Sequence, residues 1–223
     1  MTRYRLPEPP AVPSEMPQPG KVPLVWPTGQ RGEHLVEHGY TPATSRDHLR
    51  IPPATAAYAI RAFAPRGGTV VDPDCGAGTV LVEALHCGRH AIGVTRGRRW
   101  WSLARANLSA AKRQGAATDG MVLPTSRAQD LTGRADLVLT AWRPPTGLTS
   151  SHGSHDSSDG RFSAMLTWSR DVVKPGGYLV VVAQPQHRHG YLLDGPGGTR
   201  GGRPPAFERE IHKRRNTVER CIN

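Results

Sequence analysis

The sequence predicts an α/β domain built on a mostly parallel sheet covered on both faces. From Pro53 onward, short apolar runs alternate with segments of helical periodicity. The runs are continuously apolar rather than alternating, as expected of strands buried on both sides. The helical segments are closed by glycines, at Gly67-Gly68, Gly88 and Gly115.

In chain order, Pro53 suits a first helical position, because its missing N–H would have no partner there. Ala56, Ala59, Ile60 and Phe63 recur at helical spacing, and Pro65 with Gly67-Gly68 ends that helix. Thr69-Val70-Val71-Asp72 reads as a short buried strand, and Asp74 to Thr79 as a glycine-containing loop. Val80 to Cys87 is an apolar helix, and Ala91 to Val94 the next strand. Arg99 to Gln114 is a helix with Trp101, Ala104, Leu108 and Ala111 on one face. Met121–Leu123 and Asp136–Thr140 are further strands. Residues 146–160 are Ser/Gly-rich and predict a mobile loop. Phe162, Met165, Leu166, Ser169 and Val173 mark another helix, Lys174 to Gly177 a turn, and Tyr178 to Ala183 an apolar strand.

The 223 residues suffice for one domain with a real core. The formal charge of +11 favours an acidic partner, nucleic acid first. That charge is uneven: +1 over residues 1–50, +6 over 51–196 and +4 over 197–223. Three segments follow: an irregular stretch at 1–41 with eight prolines in its first 30 residues, a domain at 42–196 and a basic tail at 197–223. Three cysteines make neither a disulfide framework nor a zinc pattern, so the cytoplasm is the expected compartment. No apolar run approaches transmembrane length, and no membrane partner is expected.

In an open parallel sheet, ligands bind beyond the carboxyl ends of the strands. The first such end here is VVDPDCGAGTVLVEA. Gly76 and Gly78 let the backbone approach a ligand, and the helix that follows offers free N–H groups. A dinucleotide fingerprint is incomplete, since Leu81 stands where the third glycine belongs. Asp72 and Asp74 would repel a pyrophosphate but suit a cationic ligand such as S-adenosylmethionine. The competing expectation is NADP, with Arg96 on its 2′-phosphate.

The stretch DPDCGAGTVLVEALHCGRHAIGV resembles motif I and the following helix and strand of amino-group nucleic-acid methyltransferases, both DNA N-methyltransferases and tRNA guanosine N2-methyltransferases. AAYAIRAFAPRGGTVVDP resembles the segment before that motif, and VKPGGYLVVVA the turn and fifth strand of class I methyltransferases. The resemblance covers about residues 42–190. It implies a Rossmann-like class I sheet, with S-adenosylmethionine as cofactor and an exocyclic amino group of DNA or tRNA as target. Asp72, Cys75, Gly76, Gly78 and Thr79 would line the methionine part of the cofactor. The weaker alternative is that Asp72 and Thr79 only cap the loop and helix.

The sequence departs from that pattern at three places. Thr95 and then Arg96 stand where an acidic residue would hold both ribose hydroxyls. Thr125 and Ser126 stand near the position of an adenine-selecting Asp. The catalytic motif becomes Trp142-Arg143-Pro144-Pro145-Thr146, with Arg143 in place of an acceptor. Pro144 and Pro145 keep the motif's shape, and Trp142 is the aromatic available to stack on a flipped base or to pack as a rim residue. A guanidinium offers no acceptor to an amino group. The alternative expectation is therefore an inactive, truncated remnant or a cofactor-binding module without turnover.

A complete class I sheet needs two more strands after Tyr178–Ala183, and residues 197–223 show no strand pattern. An apolar edge prone to self-association is the physical consequence. The tail RGGRPPAFEREIHKRRNTVERCIN resembles the C-terminal region of insertion-element DDE transposases. Glu219 would match that family's metal-binding Glu on a basic helix, and the resemblance implies a methyltransferase gene interrupted by such an element. The partner aspartates of that site are not recognisable. His152, His155, His187 and His189 lie in loop-like text without a ligand frame, so no metal is expected. Cys75, read as standing at a helix N-terminus, is expected to have a lowered thiol pKa. Arg96, Arg98, Arg99 and Arg105 form a basic cluster on and before one helix.

Overall fold

The computed structural model describes residues 35–36, 38–143 and 155–183, with three two-residue strands at 187–188, 191–192 and 218–219. The elements are α1 (Pro53–Phe63), β1 (Thr69–Asp72), α2 (Thr79–His86), β2 (His90–Thr95), α3 (Arg98–Arg113) and β3 (Gly120–Pro124). They continue as β4 (Ala135–Ala141), α4 (His155–Val172), β5 (Val173–Val182), β6 (His187–Arg188), β7 (Tyr191–Leu192) and β8 (Val218–Glu219). One sheet has the order β3-β2-β1-β4-β5-β8, parallel throughout β3 to β5. This is the Rossmann-like 3-2-1-4-5 arrangement, with its topological switch between β1 and β4.

The sheet is buried from both sides, which is why its strands read as unbroken apolar runs. Val70, Leu137, Leu139 and Val180 pack with α1, α2 and α3 residues in the larger core cluster. Val71, Val94, Val138 and Val172 form the smaller cluster on the opposite face, with Trp168 of α4 packed against it. Arg89 is buried between helix ends, where it satisfies orphan carbonyls: it donates to Ala64 O from Nε (3.1 Å) and Nη2 (2.6 Å), and to Cys87 O.

A segment with no periodic signal turns out to be part of the core. A 3-10 turn at Pro42–Arg46 follows buried Leu35 and Tyr40 and precedes buried Asp47 and Ile51. Tyr40 donates its hydroxyl to Glu83 Oε1 at 2.6 Å. Asn107 on α3 joins this segment to the site loop. Its amide donates to Thr44 Oγ1 (2.8 Å) and Ala77 O (2.9 Å), and its Oδ1 accepts from the Thr41 N–H (2.9 Å).

Several expectations are corrected. The loop expected across 146–160 ends early, because α4 already starts at His155; residues 144–154 lie outside those described. The Lys174–Gly177 turn lies inside β5, where Gly176 has φ 78° and the pairing with β4 shifts register between Ala135 and Leu137. The tail, expected to add no strand and to be helical, contributes β8, which pairs antiparallel with β5 through Val181–Glu219 and Val182–Val218. The expected bare edge is therefore covered at that end. Two-stranded β6-β7 is a separate small ribbon. Among the described residues, no helix is long and apolar enough to cross a membrane.

Candidate functional site

The loop between β1 and α2 is shaped by backbone hydrogen bonds and one buried carboxyl. Asp72 is 3% exposed; its Oδ1 accepts from the Asp74 N–H (3.1 Å) and from the Thr140 hydroxyl of β4 (2.8 Å). The first bond turns the chain out of the strand, and the second ties that turn to the switch point. The Cys75 N–H donates to Val94 O at 3.0 Å, and the Gly78 N–H to Cys75 O at 2.7 Å. Gly76 and Gly78 have φ of 49° and 81°, so the loop uses left-handed backbone where glycine is favoured. Gly78 also lies against α3: a Cβ there would stand 3.0 Å from the Ala104 Cβ.

The sequence-predicted residues fall into distinct places. Gly76, Gly78 and buried Thr79 form the loop and the first residue of α2, with Gly78 as N-cap and no side-chain cap. Asp72 organises the loop from beneath rather than from its surface. Burial pushes its carboxyl up to about 7, against the opposing effects of Arg143 and of its two hydrogen bonds. Burial raises Asp74 too, opposed by Arg143 and Arg96. Asp72 thus carries less negative charge near neutrality than the sequence suggests.

The expectation of a lowered thiol pKa at Cys75 is corrected. The residue precedes α2 by four positions, lies 2% exposed in the core, and burial pushes its thiol pKa well above the ordinary value. Its Sγ fills the space a Cβ at Gly93 would need, 2.7 Å away.

Thr95 ends β2 and is 4% exposed. Val94 points into the cluster under α4, so strand alternation puts Thr95 on the same sheet face as Asp72. Its Oγ1 is buried without a hydrogen-bond partner among the described residues. A buried hydroxyl without a partner costs about 1–3 kcal/mol.

Beside the loop lies a cavity of about 230 Å³, bordered by Asp74, Arg96, Thr125, Trp142, Arg143 and Trp168 among others. Thr125 donates to Thr95 O at 3.4 Å. Trp142 lines this cavity and packs edge-on against Phe162 of α4, with ring centroids 4.8 Å apart. Pro144 and Pro145 lie outside the described residues.

The residue that sequence reasoning missed is Asp47. It is 2% exposed and grips Arg143 through Oδ1–Nη1 at 2.6 Å and Oδ2–Nη2 at 3.0 Å. Its Oδ2 also accepts from the Ala77 N–H at 2.8 Å. Arg143 Nε donates to Asp74 O at 3.0 Å. A Cβ at Gly76 would sit 2.2 Å from Asp47 Oδ2 and 2.5 Å from Arg143 Nη2. The absence of that Cβ is what lets the ion pair lie directly on the loop. Among the described residues, no group of three or more His, Cys, Asp or Glu is placed to hold a metal ion.

No family model matches the sequence, and no curated protein matches it. Solved structures resemble it in part. A SAM-dependent methyltransferase from Thiobacillus denitrificans, in complex with S-adenosyl-L-homocysteine, is 18% identical, with a TM-score of 0.42. The match covers 62% of this chain and 52% of that one. Precorrin-6y C5,15-methyltransferase from Geobacter metallireducens is 13% identical over 60% of this chain and 64% of that one, with a TM-score of 0.43. TYW2 of P. horikoshii in complex with MeSAdo is 14% identical over 66% of this chain and 46% of that one, with a TM-score of 0.39. The chain thus spans about half to two thirds of the length of these structures.

Proposed function

We propose that the chain is a class I methyltransferase domain that binds S-adenosylmethionine across the ends of β1 and β2. The observation that carries this reading is the orphan hydroxyl of Thr95, facing the same side as a glycine loop built on buried Asp72. The residues fit an adenosyl ligand. Thr95 supplies a hydroxyl without a partner among the described residues, and the left-handed backbone of Gly76 and Gly78 shapes the buried turn beside it. Asp74 borders the cavity with a carboxylate suited to a cationic centre. When bound, the cofactor supplies a methyl group on a sulfonium; the chain's own part is to bind, orient and exclude water.

The finer reading is methyl transfer to an exocyclic amino group of DNA or tRNA. It is supported by the motif I resemblance and by Arg96 and Arg161 at the cavity wall, which favour an anionic substrate. Trp142 and the Pro144-Pro145 pair would form the target side. Arg143 favours a second reading, a cofactor-binding module without turnover. Its guanidinium is committed to Asp47 and presents no acceptor to a target amine.

Methyl-labelled S-adenosylmethionine incubated with unmethylated DNA and with tRNA separates the two. Label transfer supports the enzyme. Cofactor binding without transfer supports the module. A folded protein that binds no cofactor contradicts both.

A further inference from the structure

We infer that Arg143, held in place by Asp47, is the receptor for the carboxylate of the ligand's α-amino-acid end, with Asp74 receiving its ammonium group. This rests on the proposed adenosyl site and names the residues that read its amino-acid half. The position corresponds to the motif's target-binding residue, so here a substrate position has become a cofactor position.

The geometry supports this in three ways. First, Arg143 lies on the glycine loop at Gly76 and borders the cavity beside that loop. Second, its orientation is fixed. Nε is bound to Asp74 O, while Nη1 and Nη2 are each bound to one Asp47 oxygen. A guanidinium has five N–H donors, so three are used and one hydrogen remains on each of Nη1 and Nη2; these two diverge, so a carboxylate accepts a single charge-assisted bond from one of them. Third, the two members of the ion pair are buried unequally. Asp47 is 2% exposed and does not border the cavity, whereas Arg143 is 16% exposed and does. Asp74 borders the same cavity. A cation and a carboxylate on one wall match the two charges of an amino-acid zwitterion. No ion pair has to break for such a ligand to enter, which matters because breaking a buried pair is costly. Asp47 is then a positioning residue that acts through Arg143.

The test compares S-adenosylhomocysteine with 5′-methylthioadenosine, which keeps the nucleoside but lacks the amino-acid end. Both are titrated calorimetrically into the full chain and into Arg143→Gln, Arg143→Lys and Asp74→Asn. Arg143→Lys keeps a charge opposite Asp47 and so guards against simple unfolding of the Gln variant. Wild type is expected to prefer S-adenosylhomocysteine by about tenfold or more, and each variant to lose most of that preference. Affinity for 5′-methylthioadenosine should stay within about twofold. An unchanged preference in the folded Arg143 variants, or an equal fall for both ligands, overturns the assignment and leaves the adenosyl site standing. Failure of folded wild type to bind either ligand overturns both.

Discussion

The Thr140 hydroxyl donates to Asp72 Oδ1 at 2.8 Å, across the junction of β1 and β4 where the strand order reverses. This bond holds a buried carboxyl beneath the glycine loop and makes the loop's shape depend on the sheet's central pair. The loop is therefore positioned by the fold's most buried strands rather than by its own surface.

Asp72 should make stability pH-dependent in a direction unusual for a carboxylate. Its folded pKa is raised to about 7 by burial. The folded state then holds its proton between about pH 4 and 7 while the unfolded chain releases it. Stability from this group is complete below the unfolded value and is lost as pH rises through the folded one. Asp72→Asn keeps the acceptor oxygen and removes the ionisation. It should be more stable than wild type at pH 8, by about 2 kcal/mol, with no advantage at pH 4. Urea midpoints across that range check this; a variant less stable at pH 8 than at pH 4 relative to wild type contradicts it.

Asn107 should matter well beyond its size. Its three hydrogen bonds join Thr41, Thr44 and the loop carbonyl of Ala77. Asn107→Ala removes the partner of the Thr41 N–H and of the Ala77 carbonyl, leaving Thr44 Oγ1 only Thr41 Oγ1, and should cost about 2–4 kcal/mol. Denaturant unfolding measures the loss. A change within 0.5 kcal/mol, roughly what an exposed position gives, would mean the network carries no load.

Gly78 should tolerate no side chain, for two separate reasons. Its φ is 81°, and an added Cβ meets Ala104 at 3.0 Å. Gly78→Ala is expected to lower stability by roughly 1–3 kcal/mol. Gly88→Ala, at φ 74° with open space around it, should cost about 1 kcal/mol from backbone strain alone. Thermal melts of the two variants compare the terms; equal losses would show that the α3 contact is unimportant.

Most of the fold was legible because burial on both faces writes strands as plain apolar runs. α1 and β1 appear at the expected residues, and β2, β4 and α3 within one residue or so of them. The start of α4 was hidden by its Ser- and Gly-rich text, and β8 by a tail with no alternation. Within the site, the glycines and Asp72 were visible because their spacing is local. Asp47 was not, because its partner Arg143 is 96 positions away and its neighbours carry no periodic signal. Asn107 was missed likewise, since a single polar residue on an amphipathic helix looks like part of the solvated face. Arg143 was visible as a departure from the motif, but its ion pair was not.

The central claim is that Thr95 and the glycine loop together form an adenosyl site, and Thr95→Val tests it most directly. The swap removes a hydroxyl with no partner among the described residues and nearly preserves shape. Without ligand, the variant should therefore be as stable as wild type or about 1 kcal/mol more so. Calorimetric titration with S-adenosylhomocysteine should show wild-type binding and about tenfold weaker binding in the variant. Equal affinity in both proteins, or a Thr95→Val that is clearly destabilised without ligand, would contradict the account.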